Sequence, residues 1–450
     1  MKAGFSKAVI TAPVGTVMGG YRLRRGAAAG VHDDLEVRCA VLDDGQSVFA
    51  LLSLDLLGLD YRHSAGIKRG IAAECGLQPE RILVACTHTH SGPDILSLSG
   101  SGEEAEKYYQ KMYGRTARCV CTAMNRLEST AVSLAQTVVP DLAFNRRIIL
   151  HDGSARLNLE KIDESQIAEK GSVDPTASML LFSRGAEISG AITNFTLHAT
   201  VLNEDNLLFT RDWPGYLVDS LEASLPGKPV VLFFNGAFGN INQIETPGIW
   251  ISTFREAERI GKTIGGKLAG AIESRCFLQE AAINSEHAWI AIPRREARSQ
   301  REIDGDIARV EAQLAGGEGR DDGGGGGGGG GAELEKELIF LAEEKALGRA
   351  PSLEQIEIQR ITLGEVEIIG LPGEIFVEHG LKLKRTSPMR YCLIFGNVNG
   401  SAGYVPLMES FEEGAYETRL SQGSRLVPEA GKLIIQAVES LRSKASRRPL

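Results

Sequence analysis

The 450-residue chain has no run approaching the roughly 20 apolar residues of a membrane-spanning helix. Its N-terminus, MKAGFSKAVITAPVG, reaches a strand-like AVITAP at once, without the long apolar stretch of an export signal. Positive charge is not in excess: 49 Lys and Arg against 58 Asp and Glu leave a net charge of -9. That balance excludes the basic field a nucleic-acid-binding surface requires. Cysteine is sparse and forms no framework. Seven are present, and only Cys119 and Cys121 stand close together. An odd, scattered set reads as reduced thiols in a cytoplasmic protein, with Cys39, Cys75, Cys86, Cys119, Cys276 and Cys392 in apolar segments as core residues. With 43% hydrophobic and 24% charged residues, the composition is that of a globular chain with a sizeable core.

Apolar runs of strand length alternate with runs of helix length, which predicts an α/β (α+β) fold of layered mixed β-sheets flanked by helices. Helices are expected at 62–75, 103–127, 214–224, 253–275, 301–315, 332–347 and 428–444. Asp212 and Pro214 suit the cap and first turn of the third. Three segments read as hairpins: LEVRCAVLDDGQSVFALLSLDLL around Gly45, ASMLLFSRGAEISGAITNFTLHA around Gly185, and IEIQRITLGEVEIIGLPGE around Gly364. Their second strands end on Asp55, His198 and Glu374, which predicts repeated hairpin-plus-helix units delivering three polar groups to one site. Residues 1–450 are expected to form one domain. The nine consecutive glycines at 323–331 mark a flexible surface insertion over 316–332.

ACTHTHSGPD, residues 85–94, follows the buried-strand run RILVACT. If the chain stays extended through Thr89, His88 and His90 point to the same side. Two imidazoles there suit a metal site, or one ligand and one base. Loops at 203–213, 243–252 and 318–331 are expected to set specificity, with Trp250 against the pocket. A hydrolytic zinc site takes about three protein ligands, and His198 and Glu374 are the best further donors. His63, His151, His287 and His379 lie in polar or helical surroundings and read as surface or structural.

These motifs resemble the neutral/alkaline (non-lysosomal) ceramidase family of zinc-dependent amide hydrolases. The pieces occur in order: MGGYRLRRGAAAGVHDD, THTHSGPD, FNRR at 144–147, NFTLHATVL, RDWPGY, FFNGAFGNINQ, LPGE and GYVPLMESFEEGAYE. The resemblance runs to about residue 420. It implies zinc (or another divalent metal) held by His88, His198, Glu374 and Tyr404. It implies His90 as proton handler, and Arg146 and Tyr416 as groups that polarise a carbonyl or stabilise an oxyanion.

Two departures stand out. Where the family carries Gly-Asp-Val-Ser-Pro, with its serine proposed as nucleophile, this chain has GNINQ. Asn242 replaces the serine and Asn240 the aspartate. An amide cannot attack as that serine would, but it can donate a hydrogen bond to an oxyanion. The family's C-terminal immunoglobulin-like domain and export signal are also not expected here. The predicted activity is therefore hydrolysis of an amide, ester or lactone bond in a small polar substrate by metal-activated water, in a chain able to form homo-oligomers and not inserted in a membrane. The alternatives are an inactive ligand-binding homologue, or a glycosidic reaction using paired carboxylates such as Asp55 and Glu374.

Overall fold

The computed structural model describes residues 1–96, 103–279, 282–316 and 330–445. Most of the glycine tract, and with it the insertion expected over 316–332 and the loop at 318–331, lies outside those residues.

Three times the chain lays down one unit: a leading strand, an antiparallel hairpin, a helix, a strand parallel to the hairpin's second arm, and a closing helix. The first unit is β1 (Lys2–Val9), β2 (Glu36–Asp43), β3 (Val48–Leu54), α1 (Tyr61–Cys75), β4 (Ile82–Cys86) and α2 (Glu103–Met124). The second is β5 (Ala131–Val138), β6 (Thr176–Arg184), β7 (Glu187–Phe195), α3 (Asp212–Ser224), β8 (Val230–Asn235) and α4 (Phe254–Gly270). The third starts with β9 (Ile283–Pro293) and inserts the helix pair α5 (Gln300–Ala315) and α6 (Gly330–Leu347). It continues with β10 (Leu353–Leu363), β11 (Val366–Gly370), α7 (Val377–Arg385), β12 (Tyr391–Phe395) and α8 (Ala430–Ala445). Each sheet repeats one order, β4-β3-β2-β1, β8-β7-β6-β5 and β12-β11-β10-β9, with short edge strands added to the first two. All three expected hairpins form. Asp43 pairs with Val48, Arg184 with Glu187 and Leu363 with Val366. Gly45, Gly185 and Gly364 all take positive φ at the turns, where a Cβ would be strained.

The alternation of side chains explains the layering. Inward residues of all three sheets, among them Leu51, Leu83, Phe182, Phe234, Ile368 and Phe395, make one shared apolar core. The outer face of the first sheet is covered by α1 and α2, that of the second by α3 and α4, and that of the third by α8. Burying both faces of each sheet suits the near-continuous apolar character of ILVAC, VVLFFN and VEIIG. The carboxyl ends of the parallel strands leave this core on the same side, where their loops are stitched together. Gly396 N–H donates to Asn235 O, Cys86 N–H to Asn397 O, and Gly236 N–H to Phe195 O.

The expected helices are present, with ends shifted by up to five residues. α1 is closed by Asp60, whose carboxylate accepts from His63 N–H at 2.7 Å, and by Gly76 in the left-handed region. Asp212 does not cap its helix as expected. It sits inside the first turn with φ 54, and its carboxylate accepts from Trp213 N–H and Leu202 N–H, so it clamps the preceding loop. The reading of all cysteines as free thiols also fails. Cys75 ends α1 and Cys121 lies on the adjoining face of α2, with Cα atoms 5.6 Å apart, and the two form a disulfide. One support for a reducing compartment is thereby removed. No helix among the described residues is long and apolar enough to cross a membrane.

Candidate metal centre

The site lies where the three units' strand ends meet, and each unit contributes to it. THTH follows β4, but the chain does not stay extended. His88 has φ 69, a left-handed conformation uncommon outside glycine. The same-side argument from strand periodicity therefore does not apply. The rings meet because His88 N–H is fixed to Leu56 O and His90 N–H to Ala199 O. His88 Nε2 and His90 Nε2 are 3.1 Å apart. His198 follows β7 by three residues, and Glu374 follows β11 in LPGE. Glu374 Oε2 lies 3.1 Å from His198 Nε2 and 3.5 Å from His88 Nε2. The nitrogens of His88, His90 and His198 cluster within 4.8 Å of one another, all three residues being buried.

Hydrogen bonding decides which atoms face the centre. Carbonyl oxygens only accept, so the ring nitrogen beside one must carry the proton. His88 Nδ1 is 2.7 Å from Leu57 O, and His198 Nδ1 is 2.9 Å from Phe238 O and 3.0 Å from Ile241 O. Both Nε2 atoms are thus turned toward the Glu374 carboxylate. Burial, then the charge of Arg146, pushes His198 down to about 4, so it is neutral at pH 7. Burial works against the Glu374 charge, and the charged or N–H-donating forms of the His88 and His198 imidazoles would hold its carboxyl well below the usual range. A buried carboxylate facing imidazole lone pairs at these distances is an unfavourable array of acceptors unless a cation sits among them. Backbone carbonyls anchoring the far nitrogens are also the arrangement that orients metal-bound histidines. The donor set fits a divalent metal of the zinc kind.

His90 differs from the other two. Among the described residues its buried Nδ1 has no hydrogen-bond partner, and no carbonyl there fixes its tautomer. Burial, and then its neighbours His88 and His198, hold its pKa well below that of free imidazole. The ring is placed by packing: Tyr21 lies 4.9 Å away, Arg24 donates to His90 O at 2.8 Å, and a Cβ on Gly20 would fall 2.6 Å from Nδ1. The geometry suits a group that holds or passes a proton.

Glu374 and Tyr404 are partners in a short parallel ladder. The Tyr404 hydroxyl lies 2.7 Å from that of Tyr416. Arg146 faces both rings, 5.4 Å from Tyr404 and 5.2 Å from Tyr416. Its donors are engaged by Glu417 at 2.9 Å and Gly239 O at 2.7 Å. Arg146 therefore sets the field and position of the tyrosine pair, and its Nε and Nη2 are already committed.

Two of the expected residues are engaged by other partners. Asn242 is engaged in a structural pair with Asn158, which takes one of its two amide N–H donors and shares its oxygen. Its Nδ2 donates to Asn158 Oδ1 at 2.7 Å, and its Oδ1 accepts from Asn158 Nδ2 at 2.9 Å and from Ile244 N–H at 3.0 Å. A reciprocal amide pair joins two loops where a hydroxyl nucleophile was the comparison. Asp55 does not join His198 and Glu374. Its oxygens accept from Glu36 N–H at 2.9 Å and Thr87 O–H at 3.2 Å, which braces the segment before His88. The first hairpin delivers the carbonyls of Leu56 and Leu57 to the site.

Several contributors were not anticipated. Phe238 packs its ring 4.7 Å from His88 and 4.9 Å from His198. Asn397 donates to Leu57 O at 2.7 Å, reinforcing the carbonyl that anchors His88. Both lie in loops that follow a parallel strand, NGAFGN and GNVNG, in the same position as CTHTHSG, so the repeat was the signal that pointed to them. Trp250 donates to Val201 O and lies 6.2 Å from Tyr21.

Residues 1–247 match the family model described as neutral/alkaline non-lysosomal ceramidase, N-terminal. The neutral ceramidase of Pseudomonas aeruginosa is 24% identical over 468 residues, covering 92% of this chain and 68% of that protein. The neutral ceramidase of Mycobacterium tuberculosis is 23% identical, covering 88% and 70%. That of Drosophila melanogaster is 27% identical over 261 residues, covering 54% and 35%. The crystal structure of the P. aeruginosa enzyme superposes with a TM-score of 0.72 at 19% identity, covering 98% of this chain and 74% of that one, a likeness of fold.

Proposed function

The chain belongs to the neutral/alkaline non-lysosomal ceramidase family, and from that premise we propose that it is a divalent-metal-dependent hydrolase of the amide bond in ceramide or a related N-acyl lipid. The observation that carries the reading is the convergence of His88 Nε2, His198 Nε2 and Glu374 Oε2 on one point, with both histidine Nδ1 protons committed to carbonyls. His88, His198 and Glu374 would hold the cation, with the Tyr404 hydroxyl beside them. A divalent cation of the zinc kind held there would supply Lewis-acid polarisation of the acyl oxygen and acidification of a water.

The remaining steps belong to the chain. His90 takes the proton from the attacking water on a free ring nitrogen and returns it to the leaving amine, a contribution of roughly 10²–10⁴ in rate. The Tyr416 hydroxyl, held by Tyr404 and the face of Arg146, donates to the developing oxyanion. No side chain at position 242 attacks, so water is the nucleophile. Ile249 and Ile251, 59% and 56% exposed beside Trp250, favour a substrate with an apolar arm over the small polar compound expected from sequence.

Metal analysis combined with a panel of ceramides, short N-acyl amides, esters and lactones tests this. His88→Ala should remove both metal and turnover. Full turnover by metal-depleted protein would refute the scheme. Bound metal with no turnover on any substrate would favour a ligand-binding role.

A further inference from the structure

The helix pair α5–α6 is inserted between β9 and β10, outside the repeated unit, yet α6 rests on two loops that build the metal centre. Glu343 of α6 is 6% exposed. Its Oε1 accepts from Arg22 Nε at 2.9 Å, and its Oε2 accepts from Arg22 Nη2 at 3.1 Å and from Gln422 N–H at 3.0 Å. One carboxylate therefore ties two segments that lie 400 positions apart in sequence. Arg22 adjoins Tyr21 and Gly20, the residues packed on the His90 ring. Gln422 adjoins Gly423, whose carbonyl accepts from Tyr404 N–H at 2.7 Å. Phe340, one helical turn before Glu343, lies between the guanidinium of Arg22 at 4.7 Å and that of Arg419 at 4.2 Å. Arg419 also pairs with Glu337 at 2.7 Å, and Arg25 pairs with Glu335. Every one of these cations comes from the 19–25 or the 416–424 segment, and every anion from α6.

We propose that Glu343 is a positioning residue, and α6 a clamp, that sets the distance between the His90 side of the site and its Tyr404–Tyr416 side. Burial works against the Arg22 charge, but the hydrogen bonds and charge of Glu343 raise its pKa above the ordinary value, as a bidentate, partly desolvated pair should. A clamp of this kind acts on the approach of the proton handler to the tyrosine pair, while His88 and His198 are anchored separately, through Leu57 O and through Phe238 O and Ile241 O. Its loss should therefore lower kcat and leave the metal in place. Displacements near 1 Å at a reacting centre cost about a hundredfold in rate, so a fall of roughly ten- to hundredfold is expected. The kinetic half of this inference rests on the hydrolase reading above, and the structural half does not.

The test compares Glu343→Gln with Glu344→Gln in the full-length, metal-loaded protein. Glu344 is the neighbouring carboxylate and binds Arg298 inside the insertion at 3.0 and 2.9 Å. Hydrogen exchange by mass spectrometry should show faster exchange in 19–25 and in 416–424 together for Glu343→Gln, and in neither for Glu344→Gln. With ceramide as substrate, Glu343→Gln should lose kcat at unchanged metal content, while Glu344→Gln keeps wild-type turnover. Unchanged exchange in both loops, wild-type kcat for Glu343→Gln, or equal effects of the two variants would overturn the clamp. If the unaltered protein hydrolyses nothing, the hydrolase reading falls, and the exchange comparison still decides the clamp.

Discussion

Replacing Glu417 by Gln should cost about 3–4 kcal/mol of unfolding free energy. Glu417 has no solvent exposure and receives two guanidiniums, Arg146 Nε at 2.9 Å and Arg147 Nη1 at 3.1 Å. Those arginines are 5% and 4% exposed. Removing the carboxylate charge leaves them unequal. Arg147 keeps a carboxylate, Glu413 at 2.9 Å, while Arg146 is left with neutral acceptors, the carbonyl of Gly239 and the Tyr404 hydroxyl. Breaking a buried ion pair by deleting one partner costs about 3–5 kcal/mol, because the other charge stays desolvated. One stranded guanidinium of the two places Glu417→Gln in the lower half of that range.

The same reasoning makes a second demand. If the loss comes from the stranded Arg146 charge, Arg146→Met in the Glu417→Gln background should restore roughly 2 kcal/mol, since apolar replacement of a buried pair is often close to neutral. The assay is urea unfolding followed by circular dichroism, with the slope m checked for constancy across variants. A single variant that loses under about 1 kcal/mol, or a double variant no more stable than the single, would refute the reasoning. Turnover of folded Glu417→Gln should also fall, because Arg146 faces Tyr404 and Tyr416.

Burial pushes the Asp55 carboxyl up to about 7, against an unfolded value near 4. The folded state therefore binds the extra proton, and the stability it contributes is full below about pH 4 and lost as pH rises toward 7. Asp55→Asn should flatten that dependence by roughly 4 kcal/mol, and identical pH profiles of unfolding for the two proteins would count against it. Asn158→Ala should cost about 1–3 kcal/mol by leaving the Asn242 amide unpaired, with kcat unchanged. A large kcat loss at unchanged stability would return Asn242 to the reaction. Cys121→Ser opens a disulfide spanning 46 positions, worth at most about 4 kcal/mol by chain entropy. The thermal midpoint of the unaltered protein should fall in reductant, and that of the variant should not.

Much of the architecture was legible because local patterns and global fold agree. The three hairpins carry turn glycines where positive φ is required, and α4 carries an apolar stripe and a capping Thr253. His198 and Glu374 were found because each follows an apolar strand. What stayed hidden depends on contacts distant in sequence. The approach of the His88 and His90 rings comes from a left-handed turn held by Leu56 O and Ala199 O, where strand periodicity predicts nothing. The pairing of the Asn242 amide with Asn158, 84 positions earlier, is also invisible in the sequence. Cysteine pairing is likewise a matter of helix packing between α1 and α2, which spacing does not reveal. Helix α7, with its short and highly charged VEHGLKLKR, was not placed.

The threefold repeat explains why the centre sits where it does. The first unit supplies His88, the second His198 and the third Glu374, each just beyond a strand that ends at the shared core. None of the units holds more than one of these three side chains, so none could hold the proposed cation alone. The donors are brought into register only when the three sheets close on their common apolar core. On the proposed metal site, metal affinity and sheet docking would be linked, since a ligand that binds only the docked state stabilises it by RT ln(1 + [L]/Kd). Chelation should lower the unfolding midpoint of all three sheets together. A core substitution far from the ligands, such as Phe395→Ala where Phe234 and Phe395 stack at 4.3 Å, should weaken metal binding while leaving every donor in place. An undiminished metal affinity in that variant, once it is shown to be destabilised, would separate the centre from the core and defeat the argument.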